Sequence, residues 1–144
     1  MRTGLGKESA RASLEATALA WMCFWQGAGL EGFEDLHAPD FVDHSAAGRR
    51  PNRDGFRIGI EDLYRAFPDF FATIETMVVD QEQGLVAIRW SGVGHMRGSF
   101  LGMPASDRRV SFDGIEIIAI RDRRVTQRWG EWNEAAIRAQ IGPR

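Results

Sequence analysis

The sequence predicts an α+β fold in which N-terminal helices pack on one face of a curved, mostly antiparallel sheet. Three observations carry this. Apolar residues recur with a period near 3.6 up to Phe67 and with a period of 2 from Thr73 onward. The helix signals precede the strand signals instead of alternating with them, which separates α+β from a doubly wound order. No linker, repeat or low-complexity segment divides the 144 residues, so a single domain is expected over residues 1–144.

Taken in order, residues 7–26 read as the first helix. Leu14, Ala18, Trp21, Met22 and Trp25 fall at i, i+4, i+7, i+8 and i+11, one face of a helix. Ser9 is the candidate N-cap, and Gly27 and Gly29 end the helix, since glycine takes the left-handed C-cap conformation without strain. Leu30, Phe33 and Leu36 form a short apolar-spaced piece before Pro39, and residues 41–44 read as a brief extended segment. A polar loop, 45–53, contains Pro51-Asn52 as a helix-start signal. Phe56, Ile60, Leu63, Tyr64 and Phe67 repeat the first helix's spacing, and Pro68 stops the second helix. Strands are then expected at 73–79, 85–99, 110–121 and 125–132, with turns at 81–84 and 122–124 and a loop at 102–108. Gly92, Gly94 and Gly98 suggest bends in the second of these strands. A short amphipathic helix closes the chain at about 134–140.

Composition narrows the function. The chain is 44% hydrophobic and 26% charged, with 18 basic and 20 acidic residues and a net charge of −2. That balance argues against a nucleic-acid partner. The longest apolar stretch, residues 16–25, is too short to span a bilayer, and the charges before it and the missing cleavage site argue against a secretion signal. A cytoplasmic protein with no membrane partner is the expectation. The one cysteine, Cys23, allows no internal disulfide and reads as a structural thiol within a helix. Five Trp and nine Phe against one Tyr suggest a core or pocket with large flat apolar walls.

Several motifs are excluded by context. Gly27-Ala28-Gly29-Leu30-Glu31-Gly32 matches the G-x-G-x-x-G dinucleotide pattern, but it follows a helix where that pattern must leave a strand and open one. Its glycines read as a helix C-cap and a turn. The three histidines, His37, His44 and His95, lack metal-ligand spacing, and no G-x-S-x-G nucleophile motif is present. No metal or organic cofactor is expected.

Glu116 stands out. On the strand 110–121, alternation places it on one face with Val110, Phe112, Ile118 and Ile120. A carboxylate turned toward a core must be paired or else held protonated at a raised pKa, and both are features of acid–base sites. The competing reading is an ion pair with Arg89 or Arg121 that is purely structural. The other face carries Ile115, Ile117 and Ala119, an apolar patch that suggests a homodimer or homotetramer. Trp129 and Trp132 fall on opposite faces of the last strand, so at most one lines a given pocket. Trp129 is the candidate wall residue, with Phe112, Trp90, Trp21 and Tyr64 as further contacts for a small apolar or aromatic ligand.

The run His95-Met96-Arg97-Gly98-Ser99-Phe100-Leu101-Gly102-Met103-Pro104, the run from Arg109 to Glu116, then Arg124-Val125 and Trp129, together with the segment 41–44, resemble the SnoaL-like polyketide cyclase family. The resemblance runs from about Ala18 to Trp132 and is strongest from His95 onward. It implies the cone-shaped α+β barrel shared with nuclear transport factor two, ketosteroid isomerase and limonene-epoxide hydrolase. It also implies ring closure by intramolecular aldol condensation without metal or organic cofactor. The family's late-strand acid–base aspartate matches Glu116, which is one methylene longer. Ala105-Ser106-Asp107 stands where relatives often have Pro-Thr-Gly, and Ala119 where many have arginine.

The expected chemistry is therefore proton abstraction next to a carbonyl of a small, largely apolar substrate. Glu116 is the base, His95 and His44 hold or protonate the enolate oxygen, and Trp129 shapes the wall. Isomerisation by the same base is chemically adjacent. Epoxide hydrolysis would require two carboxylates and an arginine around one water, a cluster that the sequence does not reveal. A non-catalytic pocket protein or dimerisation module on the same fold is the alternative of a different class.

Overall fold

The computed structural model describes residues 4–143, with side chains from Ser9 onward. Helix α1 (Gly4–Met22) runs into a 3-10 turn at Cys23–Trp25, followed by the short α2 (Phe33–Leu36) and strand β1 (His37–Asp43). Helix α3 (Arg53–Ala66) leads to β2 (Phe71–Asp80), β3 (Leu85–His95), β4 (Arg109–Arg121) and β5 (Arg124–Trp132), and α4 (Glu134–Ile141) closes the chain. The strands form one sheet in the order β1-β5-β4-β3-β2, antiparallel throughout except for the parallel β1–β5 pair. The α+β class and the helix-then-sheet order agree with the sequence reading.

Boundaries differ where local signals were overruled. Helix α1 starts before Ser9, which lies inside it and caps nothing, and it tightens into the 3-10 turn before Gln26. Cys23, in that turn, is exposed and so is not the buried structural thiol expected from sequence. Gly27, Gly29 and Gly32 all have left-handed φ angles, of 77°, 79° and 81°, so the three glycines turn the chain between α1 and α2. Strand β1 begins four residues earlier than the extended segment read from sequence and contains Pro39. It tolerates the proline because it is the sheet's edge strand, where a missing N–H breaks no ladder. Strand β3 stops at His95, since the N–H groups of Arg97 and Gly98 turn away to the Ala66 carbonyl.

Helix α3 forms where expected. The Asn52 side chain caps it by accepting from Gly55 N at 2.9 Å, Asp54 complements its N-terminal dipole, and Phe56, Ile60 and Leu63 bury one face. That face and the apolar stripe of α1 meet the side of β4 that carries Val110, Phe112, Ile118 and Ile120. At the other end, Arg108 donates to the carbonyls of Gln140 and Gly142, and the Gln140 amide brackets the backbone of Ser111, tying α4 to β4.

One polar group is built into the core. His37 is fully buried among Phe24, Phe33, Phe41 and Phe56. Its Nε2 accepts from the Trp21 indole N–H at 3.0 Å, and its Nδ1 lies 2.7 Å from the Phe33 carbonyl, to which it donates. Both partners are satisfied only by the neutral ring, because a second proton would face the indole N–H. Burial, with a smaller push from Arg53, drives its pKa down from 6.5 to about 4, against the Phe33 hydrogen bond and the Glu34 charge. A histidine with a depressed folded-state pKa contributes stability above its unfolded value and loses it as pH falls through the window between the two. At about 1.4 kcal/mol per pH unit, the fold should lose roughly 3 kcal/mol between pH 7 and pH 4 through this residue alone. Urea unfolding at both pH values checks this: a His37→Gln variant, which cannot titrate, should lack that share of the acid sensitivity.

Candidate active site

A cavity lies between the helices and the inner face of the sheet. An inner chamber of about 60 Å³ is lined by Met22, Trp25, Phe70, Trp90, Glu116 and Arg128, among others. It shares Trp25, Leu63, Trp90, Glu116, Arg128 and Trp132 with a wider open cleft of about 850 Å³. The cleft falls within the size range of small-molecule pockets, roughly 300–1,000 Å³. The cavity is thus a narrow apolar floor under a broad mouth, and not a closed chamber.

Glu116 sits on that floor because β4 alternates as its sequence suggests: Val110, Phe112, Glu116, Ile118 and Ile120 are all buried. Its partner is neither Arg89 nor Arg121. Arg89 donates to Thr76 Oγ1 on the outer face, and Arg121 is exposed at the strand end. Arg128, on β5, donates from Nε to Glu116 Oε1 at 2.7 Å. Its Nη1 reaches Asp43 Oδ1 at 3.1 Å and the Ser45 carbonyl at 3.4 Å, and its guanidinium lies 5.1 Å from the centre of the Phe56 ring. Asp43 is sealed, with its Oδ1 also accepting from Ser45 N at 2.9 Å. Gly130, paired with Glu116 across the β4–β5 ladder, makes the room, since a Cβ there would fall on the Glu116 carboxylate.

The electrostatics follow from burial. Desolvation is the largest influence on Glu116 and raises its pKa above 4.5; attraction to Arg128 pulls it back, Asp43 pushes it up again, and the Trp90 indole lowers it slightly. Arg128 is opposed by its own burial, but Glu116 and Asp43 more than offset this, and it holds its proton more tightly than a free arginine. Arg128 hydrogen-bonds Oε1 alone, and the Glu116 side chain lines the chamber. The result is a carboxylate with a raised proton affinity at the end of an apolar pocket, oriented by a cation that cannot titrate.

Of the residues singled out from sequence, Glu116 and Trp90 line the cavity. His95 does not. It lies on β3 seven residues beyond Ile88, the cross-strand neighbour of Glu116, roughly 23 Å away at about 3.3 Å per residue. There it holds Asp69 at 2.7 Å on the surface and pulls the Asp69 carboxyl below its usual range. His44 is exposed, stacked on Trp129 at 4.6 Å with an interplanar angle of 7° and bonded to Gln127. Trp129 pairs with the exposed Ile117 and belongs to the outer face, and Trp132 takes the cavity position expected for it. Trp21, Phe112 and Tyr64 pack behind the lining: Trp21 on His37, Phe112 among Phe67, Phe70 and Phe100, and Tyr64 against Phe70 with its hydroxyl accepting from Gly27 N. Asp43 and Arg128 were missed. The two-carboxylate and arginine cluster that the sequence does not reveal is present, as Asp43, Arg128 and Glu116. Among the described residues, no group of three or more His, Cys, Asp or Glu side chains converges in a way that could hold a metal ion. Nor, among the described residues, is any helix long and apolar enough to cross a membrane.

A five-stranded sheet with helices over one face and a buried carboxylate between them defines an α+β fold of the nuclear transport factor two type. The chain belongs to the SnoaL-like polyketide cyclase family, whose model matches residues 15–141. Among solved structures it is similar to TsrD from Streptomyces laurentii, at 23% identity and a TM-score of 0.81 over 92% of this chain and 96% of that one. It is also similar to AclR, a candidate hydroxylase from Streptomyces galilaeus, at 23% identity and a TM-score of 0.81 over 92% and 97%. IdmH, a candidate polyketide cyclase from Streptomyces antibioticus, matches at 26% identity with a TM-score of 0.77 over 90% and 99%. No curated protein matches it in sequence.

Proposed function

We propose that the protein is an acid–base enzyme that closes a ring in a small, largely apolar, polyketide-like substrate by intramolecular aldol condensation, using side chains alone. One observation carries this reading: the buried Glu116 carboxylate, with its raised proton affinity, faces the apolar chamber at the end of the cleft. The substrate's body lies in the cleft among Trp25, Trp90 and Trp132, and its reacting carbonyl enters the chamber. Glu116 Oε2 takes a proton from the carbon next to that carbonyl, leaving an enolate. Arg128, relieved of the carboxylate's negative charge and still held by Asp43, then stabilises the enolate through its field. The enolate carbon attacks a second carbonyl, a carbon–carbon bond forms, and Glu116 returns its proton to the new alkoxide. The addition that closes the ring is an isomerisation and needs no group supplied or released; dehydration of the resulting aldol, where the condensation goes that far, releases one water. Proton return to a different carbon would instead move a double bond, so isomerase activity uses the same machinery.

Epoxide hydrolysis fits less well, because Asp43 does not line the chamber. Only one carboxylate faces a substrate, and a two-carboxylate grip on one water needs both.

The proton-abstraction half is testable without the natural substrate. In D2O near neutral pD, the enzyme should accelerate deuterium uptake at the α-carbon of α-tetralone, an aryl ketone, as followed by proton NMR. Exchange no faster than in buffer with a bovine serum albumin control, while the ketone demonstrably binds, would remove this function and leave the non-catalytic pocket reading.

The same reading includes a homodimer. The outer sheet face exposes Ile115 (53%), Ile117 (38%) and Trp129 (38%) side by side, although Ala119, expected there too, is buried. Light scattering at micromolar concentration should give twice the chain mass, and Ile117→Glu should shift it to one. A monomeric wild type removes the dimer.

A further inference from the structure

We infer that Arg49 is the anion-recognising residue of the cleft and that the substrate carries an ionised acidic group, a carboxylate, on its planar apolar body. This rests on the cleft being the substrate site. Arg49 lies in the loop between β1 and α3 and lines the cleft along with Ser45, Phe56 and Gly59. Its guanidinium makes no hydrogen bond to any described residue, and its Nε is buried without a partner. The one carboxylate near it is Asp43, at 3.7 Å from Nη2, which is beyond hydrogen-bond reach. That carboxylate is already taken by Arg128 and by Ser45 N. The Nε donor, buried with no acceptor, is costly to keep unless an acceptor arrives from outside, and the rest of the guanidinium faces the open cleft from which one can come.

The position is also built. Gly59 occupies the middle of α3, where glycine is a poor helix former. A Cβ on it would lie 2.7 Å from both Cζ and Nε of Arg49, so the missing side chain is the seat on which the guanidinium rests. The loop that delivers Arg49 is strapped to the catalytic cluster: Ser45 Oγ accepts from Gly130 N, the Ser45 carbonyl accepts from Arg128, and Pro51 O accepts from Asp43 N. Arg49 therefore stands three ion-pair links from Glu116, on the cleft side, where it can fix one end of a molecule whose other end meets the base. Arginine suits this task because its planar fork matches a carboxylate in a bidentate manner.

The test measures binding alone, so its result is independent of whether Glu116 moves a proton. Equilibrium dialysis near neutral pH compares 2-naphthoate with its uncharged methyl ester on the wild-type protein, Arg49→Gln and Gly59→Ala. The wild type should prefer the acid by about tenfold to a hundredfold, the scale of one charge-assisted contact. Arg49→Gln should abolish the preference while binding the ester as before. Gly59→Ala, which keeps the charge but takes its seat, should reduce the preference without lowering the melting temperature, since alanine favours the helix. Equal affinity of the wild type for acid and ester, or a preference that survives intact in Arg49→Gln, overturns the assignment; the second outcome would give the role to Arg128.

Discussion

Glu116→Gln should slow α-proton exchange roughly a hundredfold or more, with the fold intact, because a positioned acid–base group is worth that much. The amide keeps the size of the side chain and still offers an oxygen to Arg128 Nε, now at 2.7 Å from Oε1. What it loses is the ability to accept a proton at the atom facing the chamber. The pH profile provides an independent readout. The base must be ionised to act, so wild-type kcat/KM should rise with pH to a midpoint above 4.5, because burial raises the carboxyl's pKa. In Glu116→Gln that limb should vanish along with the rate. Glu116→Asp should fall in between: it restores the shorter carboxylate that the family resemblance suggests for this position, but withdraws it by one methylene from a chamber shaped around glutamate. Full exchange activity in the glutamine variant would show that the base is elsewhere.

Glu116 could be found from sequence because strand alternation is local, and β4 obeys it along the stretch from Val110 to Ile118. The failure at Trp129 has an equally physical cause. The turn at Asp122-Arg123 pairs Arg121 with Arg124 and Ile120 with Val125, and that register continued would set Trp129 opposite Glu116. The ladder shifts by one residue between Ala119 and Ile120, where Thr126 donates its hydroxyl to the Ala119 carbonyl instead of taking a place in the pairing. Beyond the shift Glu116 meets Gly130, Trp129 moves to the outer face, and Arg128 and Trp132 turn inward. A one-residue slip flips every side chain of a strand, and nothing in the residues 119–126 announces it. Arg128 and Asp43 were missed for a second reason: their partnership joins segments 85 residues apart through the parallel β1–β5 pair, which no short-range pattern encodes. The fold class needed only periodicity and element order, and both are local.

Arg128→Met should destabilise the protein by about 3–5 kcal/mol, the usual cost of removing one partner from a buried ionic group. That is a large share of the roughly 5–15 kcal/mol available to a domain. Arg128 is the only cation that hydrogen-bonds both Glu116 and Asp43 among the described residues, and its loss leaves two carboxylates in a region with little water. Asp43 would keep Ser45 N and the more distant Arg49, so the larger burden falls on Glu116. Its response sets the pH dependence. Without Arg128 the downward pull on its pKa disappears while desolvation remains, so the folded-state pKa rises further above the unfolded value. A carboxyl of that kind is tolerated below its unfolded pKa, and the fold loses stability as pH rises through the folded one. The deficit of the variant should therefore widen from mildly acidic to alkaline pH. Arg128→Lys should recover only part of it, because one ammonium cannot bridge two carboxylates as the guanidinium fork does. Combining Arg128→Met with Glu116→Gln should cost less than the sum of the single changes, since the second removes the charge that the first strands. Urea unfolding of the four proteins across pH measures all of this; a methionine variant within about 1 kcal/mol of wild type at alkaline pH would mean that the cluster is hydrated and that Glu116 does not sit in the dry environment its proposed role requires.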